Sequence, residues 1–306
     1  MRSYLRIRSP WSQFALLLLL LGGAFALTSV ISIGVFVSKG LSITELKNLD
    51  YNNPKIISVL KLVQGISTVT VFLIPAFIFA FAVFRFRQFY FLGFRREDKT
   101  HFYLIAIAIV ICSFPFVAWL GELNEHIRLT KWMVESEKEA SRQMEAFLKV
   151  NRMSDIFINI FLVALLPGIC EEVFFRGCLQ RTLIHIFKNP WIGIVITAAL
   201  FSAFHMEFAG FLPRMFLGII LGALFWYGNS LMVNIAAHFF YNGIQVVAAL
   251  YYPKVIDQNP SVPVYAALIS AVIVLGLLYL MKKQTTVTYA KIYEADEVNE
   301  SNQFIV

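Results

Sequence analysis

The chain has 306 residues, 58% of them hydrophobic and only 15% charged. A soluble domain is nearer half apolar and about a quarter charged, so lipid is the main solvent and an ordinary soluble globular domain is excluded. The formal charge of +7 sits at the ends of apolar runs, where it encodes membrane topology and argues against a nucleic-acid partner.

A spanning helix needs about 20 mainly apolar residues. The runs predict eight such spans: Phe14–Val37, Leu62–Phe84, Phe102–Leu120, Ile156–Leu179, Trp191–His205, Phe211–Tyr227, Leu231–Tyr251 and Val264–Met281. The expected fold class is therefore all-α, a polytopic membrane helical bundle. The fifth and sixth spans are short and poorly separated. The first follows Arg2, Arg6 and Arg8, and Ala24-Phe25-Ala26 mimics a signal-peptide cleavage site, but its apolar run continues to Val37. That length favours a retained helix.

Basic residues orient the bundle. Arg2, Arg6 and Arg8 put the N-terminus in the cytoplasm, and alternation brings Arg85, Arg87, Arg95, Arg96 and Lys99, an Arg181–Lys188 turn, and Lys282-Lys283 to the same side. An even number of spans and a cytoplasmic C-terminus follow, and the polar tail from Thr285 is expected to be disordered. The organisation expected is N-terminal spans and an outward segment over 1–150, a polar-bearing core over 151–255, a last span within 256–284, and a tail over 285–306.

The one sizeable polar segment, Glu122–Asp155, alternates charges at Glu135, Glu137, Lys138, Glu139, Arg142, Glu145 and Lys149 and carries apolar Met144, Phe147 and Leu148. It reads as an outward helix on the membrane surface or an extension of the fourth span, with a solvated connector as the plain alternative. The three cysteines, Cys112, Cys170 and Cys178, lie in apolar runs without CxxC spacing. They read as small apolar packers rather than disulfides or a thiolate zinc cage.

An ionisable residue at the bilayer centre costs at least about 2.5–3.5 kcal/mol and is a functional candidate by default. The fourth span holds Pro167-Gly168-Ile169-Cys170-Glu171-Glu172-Val173-Phe174-Phe175-Arg176. Glu172 and Arg176 are i and i+4, on one helix face and able to pair. Glu171 is turned about 100° away from them. One carboxylate is thereby neutralised and the other left free as a general base, while Pro167-Gly168 loosens the helix. His205 ends the fifth span. In the seventh, Asn234, His238 and Asn242 at i+4 spacing form a polar stripe that should border a water-filled cavity, with hydrogen bonding between helices, enough to explain Asn234 alone, as the plain alternative. Gly218 and Gly222 give the sixth span a close-packing face. No GxSxG or HExxH occurs, and Ser202 and Cys170 lack a base on their own helices, so water activated by a carboxylate leads over serine, cysteine or thermolysin-like schemes.

Glu171-Glu172-x-x-x-Arg176, Phe201-x-x-x-His205 and His238-x-x-x-Asn242, in this order on separate spans, resemble the CPBP family of CAAX proteases and bacteriocin-processing (Abi) proteins, which includes the type II CAAX prenyl endopeptidases. The resemblance covers roughly Ile156–Tyr251. It implies an intramembrane endopeptidase with a cavity open to the cytoplasm, acting on membrane-associated proteins or peptides. Glu171 would be the general base, assisted by His205; His238 and Asn242 would stabilise the oxyanion, and Glu172 with Arg176 would support the site. Glu171, His205 and His238 would be the ligands if a divalent metal such as zinc took part, Asn242 being a poor ligand. Short loops look prokaryotic. The competing reading is a scaffold, an immunity protein or a small transporter, but a transporter should show broken helices in both halves, and here the intramembrane polarity is confined to one.

Overall fold

The computed structural model describes residues 5–41, 45, 49–95, 99–150, 152–251 and 261–294. Arg2, Arg96 and the tail from residue 295 lie outside the described residues. The elements are α1 (Pro10–Ser38), α2 (Pro54–Val83), α3 (Gln88–Leu92), α4 (His101–Glu125), α5 (Lys131–Leu148), α6 (Met153–Phe187), α7 (Pro190–Phe204), α8 (Phe211–Gly228), α9 (Leu231–Tyr251), α10 (Val264–Gln284) and α11 (Ala290–Glu294). Among the described residues there is no strand, only an isolated bridge between Leu5 and Phe84.

Seven of these helices (α1, α2, α4, α6, α8, α9 and α10) are long and apolar enough to cross a membrane. The eighth expected span, α7, has 15 residues and rises only about 22 Å, short of a hydrocarbon core of about 30 Å. It packs along α8 and completes the bundle.

Several spans begin earlier than hydropathy predicts, because capping chemistry sets the start. Ser9, Asn53 and Asn189 each accept a hydrogen bond from the first helical turn, and each precedes a proline. A capping side chain followed by a proline at the first helical position satisfies one orphan N–H and removes another. As a result α2 takes in Lys61, whose ammonium donates to Asn159 of α6 at 2.7 Å. The expected Arg181–Lys188 turn is also corrected. The helix continues to Phe187, and the reversal falls at Lys188, whose φ is 51°.

Two spans carry wide π-helical turns, Val69–Leu73 in α2 and Ile160–Leu165 in α6. Each ends two residues before a proline, Pro75 or Pro167. A proline inside a helix lacks an N–H and crowds the carbonyl four residues back, and a wider turn relieves both. A third π segment, Val173–Gln180, follows Glu172 directly.

Two apolar cores flank α6. One joins α1, α2 and α3 to Phe174, Phe175 and Cys178, and the other joins α4, α8, α9 and α10. Burial in lipid gives little drive for helix association, so close backbone packing matters more. The expected packing role of Gly218 is seen directly, since a Cβ there would meet Ala198 Cβ of α7 at 2.9 Å.

Both ends of the described chain lie at one end of the bundle. Leu5 pairs with Phe84, and Tyr293 of α11 stacks on His185 and donates its hydroxyl to Arg181 O at 3.0 Å. Part of the tail expected to be disordered is therefore folded, because Val287, Tyr289 and Tyr293 give residues 285–294 an apolar, aromatic contact with the bundle. At this basic end Arg95 is held over Tyr90, and burial first, then the Arg181 charge, pull its guanidinium down to about 10.

At the other end α5 is a separate docked helix, neither an extension of the fourth span nor a loose connector. Phe147 packs with Ile56, Val59 and Leu60, and Leu148 with Val246 and Ala249. Tyr51 donates its hydroxyl to Glu139, and burial together with that carboxylate pushes the phenol pKa up.

Candidate active site

Glu172 is fully buried, as is Arg176, and their side chains meet at 2.8 Å. The same Glu172 Oε1 accepts from His238 Nδ1–H at 2.9 Å, and Oε2 accepts from Asn234 Nδ2 at 3.1 Å. Arg176 also donates to Gly218 O at 3.2 Å, a carbonyl left accessible by the missing side chain of that glycine. Its guanidinium lies over the Phe201 ring, 4.9 Å from the centroid. One carboxylate thus gathers α6, α8 and α9 around a compensated charge, which a low-dielectric interior requires.

Glu171 is turned out of this cluster. Its side chain keeps 11% exposure, and its Oε2 lies 3.9 Å from His238 Nε2. His238 therefore stands between the two glutamates. Its Nδ1 carries the proton given to Glu172, because a carboxylate only accepts, and this fixes the tautomer and presents Nε2 to Glu171.

His205 sits one residue past the end of α7. Its Nδ1 donates to Phe201 O at 2.9 Å, which leaves Nε2 as the free ring nitrogen. Phe201 is 2% exposed and touches both imidazoles edge-on, with centroids 5.0 Å from His205 and 6.1 Å from His238. The phenyl ring is the common wall of the site. In the sequence Phe201 stands out only as the first residue of the Phe201-x-x-x-His205 motif. Its i, i+4 spacing to His205 was the available signal.

The polar stripe of α9 splits, and the expectation that all of it borders a cavity is corrected. Asn234 is fully buried and donates to both Glu172 and Leu221 O, so it binds helices together. Asn242 is half-buried and donates to Val163 O at 3.3 Å. An amide nitrogen has two protons, so one N–H of Asn242 stays available. Ser202 gives its hydroxyl to Phe211 O, and Cys170 is a buried free thiol.

Among the described residues no three His, Cys, Asp or Glu side chains come together as a metal site requires. Glu171, His205 and His238 do not form a three-ligand set in this arrangement.

The site is sealed on one side. Every residue from Val173 to Gln180 is buried, whereas Ile244, Gln245 and Met206 are exposed. The cluster is closed toward the basic end, and α5 docks at the opposite end of the bundle. There Trp132 meets Phe208 edge-on at 5.1 Å, and Glu137 accepts from Ala209 N at 2.9 Å. The small cleft lined by Gln13, Cys178, Arg181, His185 and Tyr293 lies at the basic end, apart from the paired glutamates.

No curated protein and no solved structure matches the chain. The segment that carries Glu171, Glu172, Arg176, His205, His238 and Asn242 does match a known family, type II CAAX prenyl endopeptidase Rce1-like, over residues 153–244, in agreement with the family that the motifs resemble.

Proposed function

We propose that this chain is an intramembrane endopeptidase that hydrolyses peptide bonds of membrane-associated proteins or peptides with water activated by Glu171. The observation that carries this reading is the unequal environment of the two glutamates. Glu172 is neutralised by Arg176 and held by His238 and Asn234, while Glu171 keeps some exposure and faces His238 Nε2 across 3.9 Å. Two adjacent carboxylates with different environments divide into a structural anion and a working base. The match to a CAAX endopeptidase family supports the reaction class.

The steps balance without further co-reactants. Glu171 takes a proton from water as the oxygen attacks the peptide carbonyl carbon. The oxyanion accepts a hydrogen bond from the free N–H of Asn242, while Glu172 holds the His238 ring in place through its Nδ1–H. The carbon–nitrogen bond then breaks, and the proton held by Glu171 passes to the leaving amine. His205, with Nε2 unengaged and its ring against Phe201, shares that proton. Arg176 and Glu172 keep the His238 tautomer fixed throughout. The test is the purified protein in detergent with a quenched-fluorescence peptide library. Wild type should cleave members of the library and Glu171→Ala should not; equal cleavage by both would refute the assignment.

A further inference from the structure

His205 stands where a helix stops, a place where side chains are poorly held unless something else fixes the chain. The next residue, Met206, has a φ of 53°, left-handed backbone that a non-glycine residue adopts only when its surroundings over-determine it. The surroundings do so. Asn124 of α4, 1% exposed, donates Nδ2–H to Phe208 O at 2.8 Å and accepts from Leu212 N at 3.0 Å through Oδ1. Both ends of one buried amide are thus spent across the turn between α7 and α8. Glu137 of α5 accepts from Ala209 N at 2.9 Å, and Ser202 donates to Phe211 O at 2.7 Å. Glu207 of the turn pairs with Arg214 in the first turn of α8.

Asn124 and Glu137 lie outside the stretch 153–244 that carries the family match, in the half of the chain without a motif of its own. We propose that Asn124, assisted by Glu137, is a positioning residue that clips the 206–212 turn and thereby sets where the His205 ring stands relative to Glu171 and His238. The catalytic part of this proposal rests on the endopeptidase reading; the clip itself does not. An asparagine is suited to this place because it offers one donor and one acceptor on a short, rigid stem. Aspartate would keep the acceptor for Leu212 N but turn a second acceptor toward Phe208 O.

The test uses the full chain in detergent and two readouts. Hydrogen exchange of the peptide spanning 206–213 reports the clip directly, since the amides of Ala209 and Leu212 are held by these side chains. In Asn124→Ala the Leu212 region should exchange about tenfold faster. In Asn124→Asp, which keeps the acceptor, it should do so by a smaller factor. In Glu137→Ala the Ala209 region should exchange about tenfold faster, with α9 unchanged. Glu137→Ala removes a side chain from a peripheral helix and remains informative if an Asn124 variant fails to fold. Steady-state kinetics supply the second readout. kcat should fall about 10- to 100-fold with KM nearly constant, and the limb of the pH–rate profile set by His205 should move. Wild-type exchange at 206–213 in the folded variants would overturn the clip. Faster exchange with unchanged kcat and pH profile would overturn the positioning role. A Glu171→Gln protein as active as wild type would instead remove the endopeptidase reading, and the exchange readout would still decide the clip.

Discussion

The Glu172 carboxylate and the Arg176 guanidinium meet at 2.8 Å with neither side chain reaching solvent. Arg176→Ala leaves the Glu172 charge in the bundle interior with only His238 and Asn234 as partners. Removing one member of a buried pair costs about 3–5 kcal/mol, so the variant should melt well below wild type in detergent and give less folded protein. Arg176→Lys should recover part of the loss, since the charge remains but the contact to Gly218 O and the stacking on Phe201 do not. Wild-type melting and full activity in Arg176→Ala would mean that the pair contributes little.

The two asparagines of α9 should fail differently. Asn234→Ala removes a hydrogen bond to a buried carboxylate, typically worth about 1.5–3 kcal/mol, and also uncovers Leu221 O. It should lower the melting temperature while the folded fraction keeps most of its turnover. Asn242→Ala should melt like wild type and lose about 10²–10³-fold in kcat, the usual effect of deleting one oxyanion donor. A common loss of stability in both variants, with no selective loss of rate in Asn242→Ala, would make the whole stripe structural.

The spans and the glutamate–arginine pair were legible because each is local. Hydropathy over about 20 residues locates a helix, and i, i+4 spacing alone places Arg176 on Glu172. What escaped depends on neighbours distant in sequence. Nothing around Asn234 distinguishes it from Asn242, and only the approach of Leu221 O and Glu172 makes one a helix tie. The span start before Lys61 follows from Asn53 and Pro54, a polar cap that a hydropathy window averages away. Asn124 falls within the stretch read as a polar outward segment, and its partners lie 84 and 88 residues away. The tail resembled disorder by composition, yet Tyr293 finds His185 and Arg181 at the basic end.

Topology gives a relational prediction. Single cysteines at Ser136 on α5 and Gln245 beyond the site should label from the same side of the membrane, and one at Arg87 from the opposite side. The basic residues set the expected sign, with Arg87 inside and the other two outside. Reversal of all three would overturn the charge-based orientation while leaving the fold intact. Labelling of Ser136 and Gln245 from different sides would contradict the fold.

The most diagnostic variant is Glu171→Gln, examined with and without a strong chelator. The amide keeps the size of the side chain but cannot take a proton from water. Turnover should therefore fall about 10²–10⁴-fold, the usual contribution of a general base. Folding should survive, because Arg176 pairs with Glu172 and not with Glu171. His205→Ala should lose rate by a similar factor if it shares the proton, with its partner Phe201 O left to other contacts. Since the described His, Cys, Asp and Glu side chains form no group of three suited to an ion, wild-type turnover should be indifferent to chelation. Activity lost on chelation and restored by zinc would show that Glu171, His205 and His238 draw together around a metal in the working enzyme, and would replace the metal-free scheme. Glu171→Gln cleaving its substrate at the wild-type rate would remove the base itself, and with it the reason for two unlike glutamates side by side in the membrane.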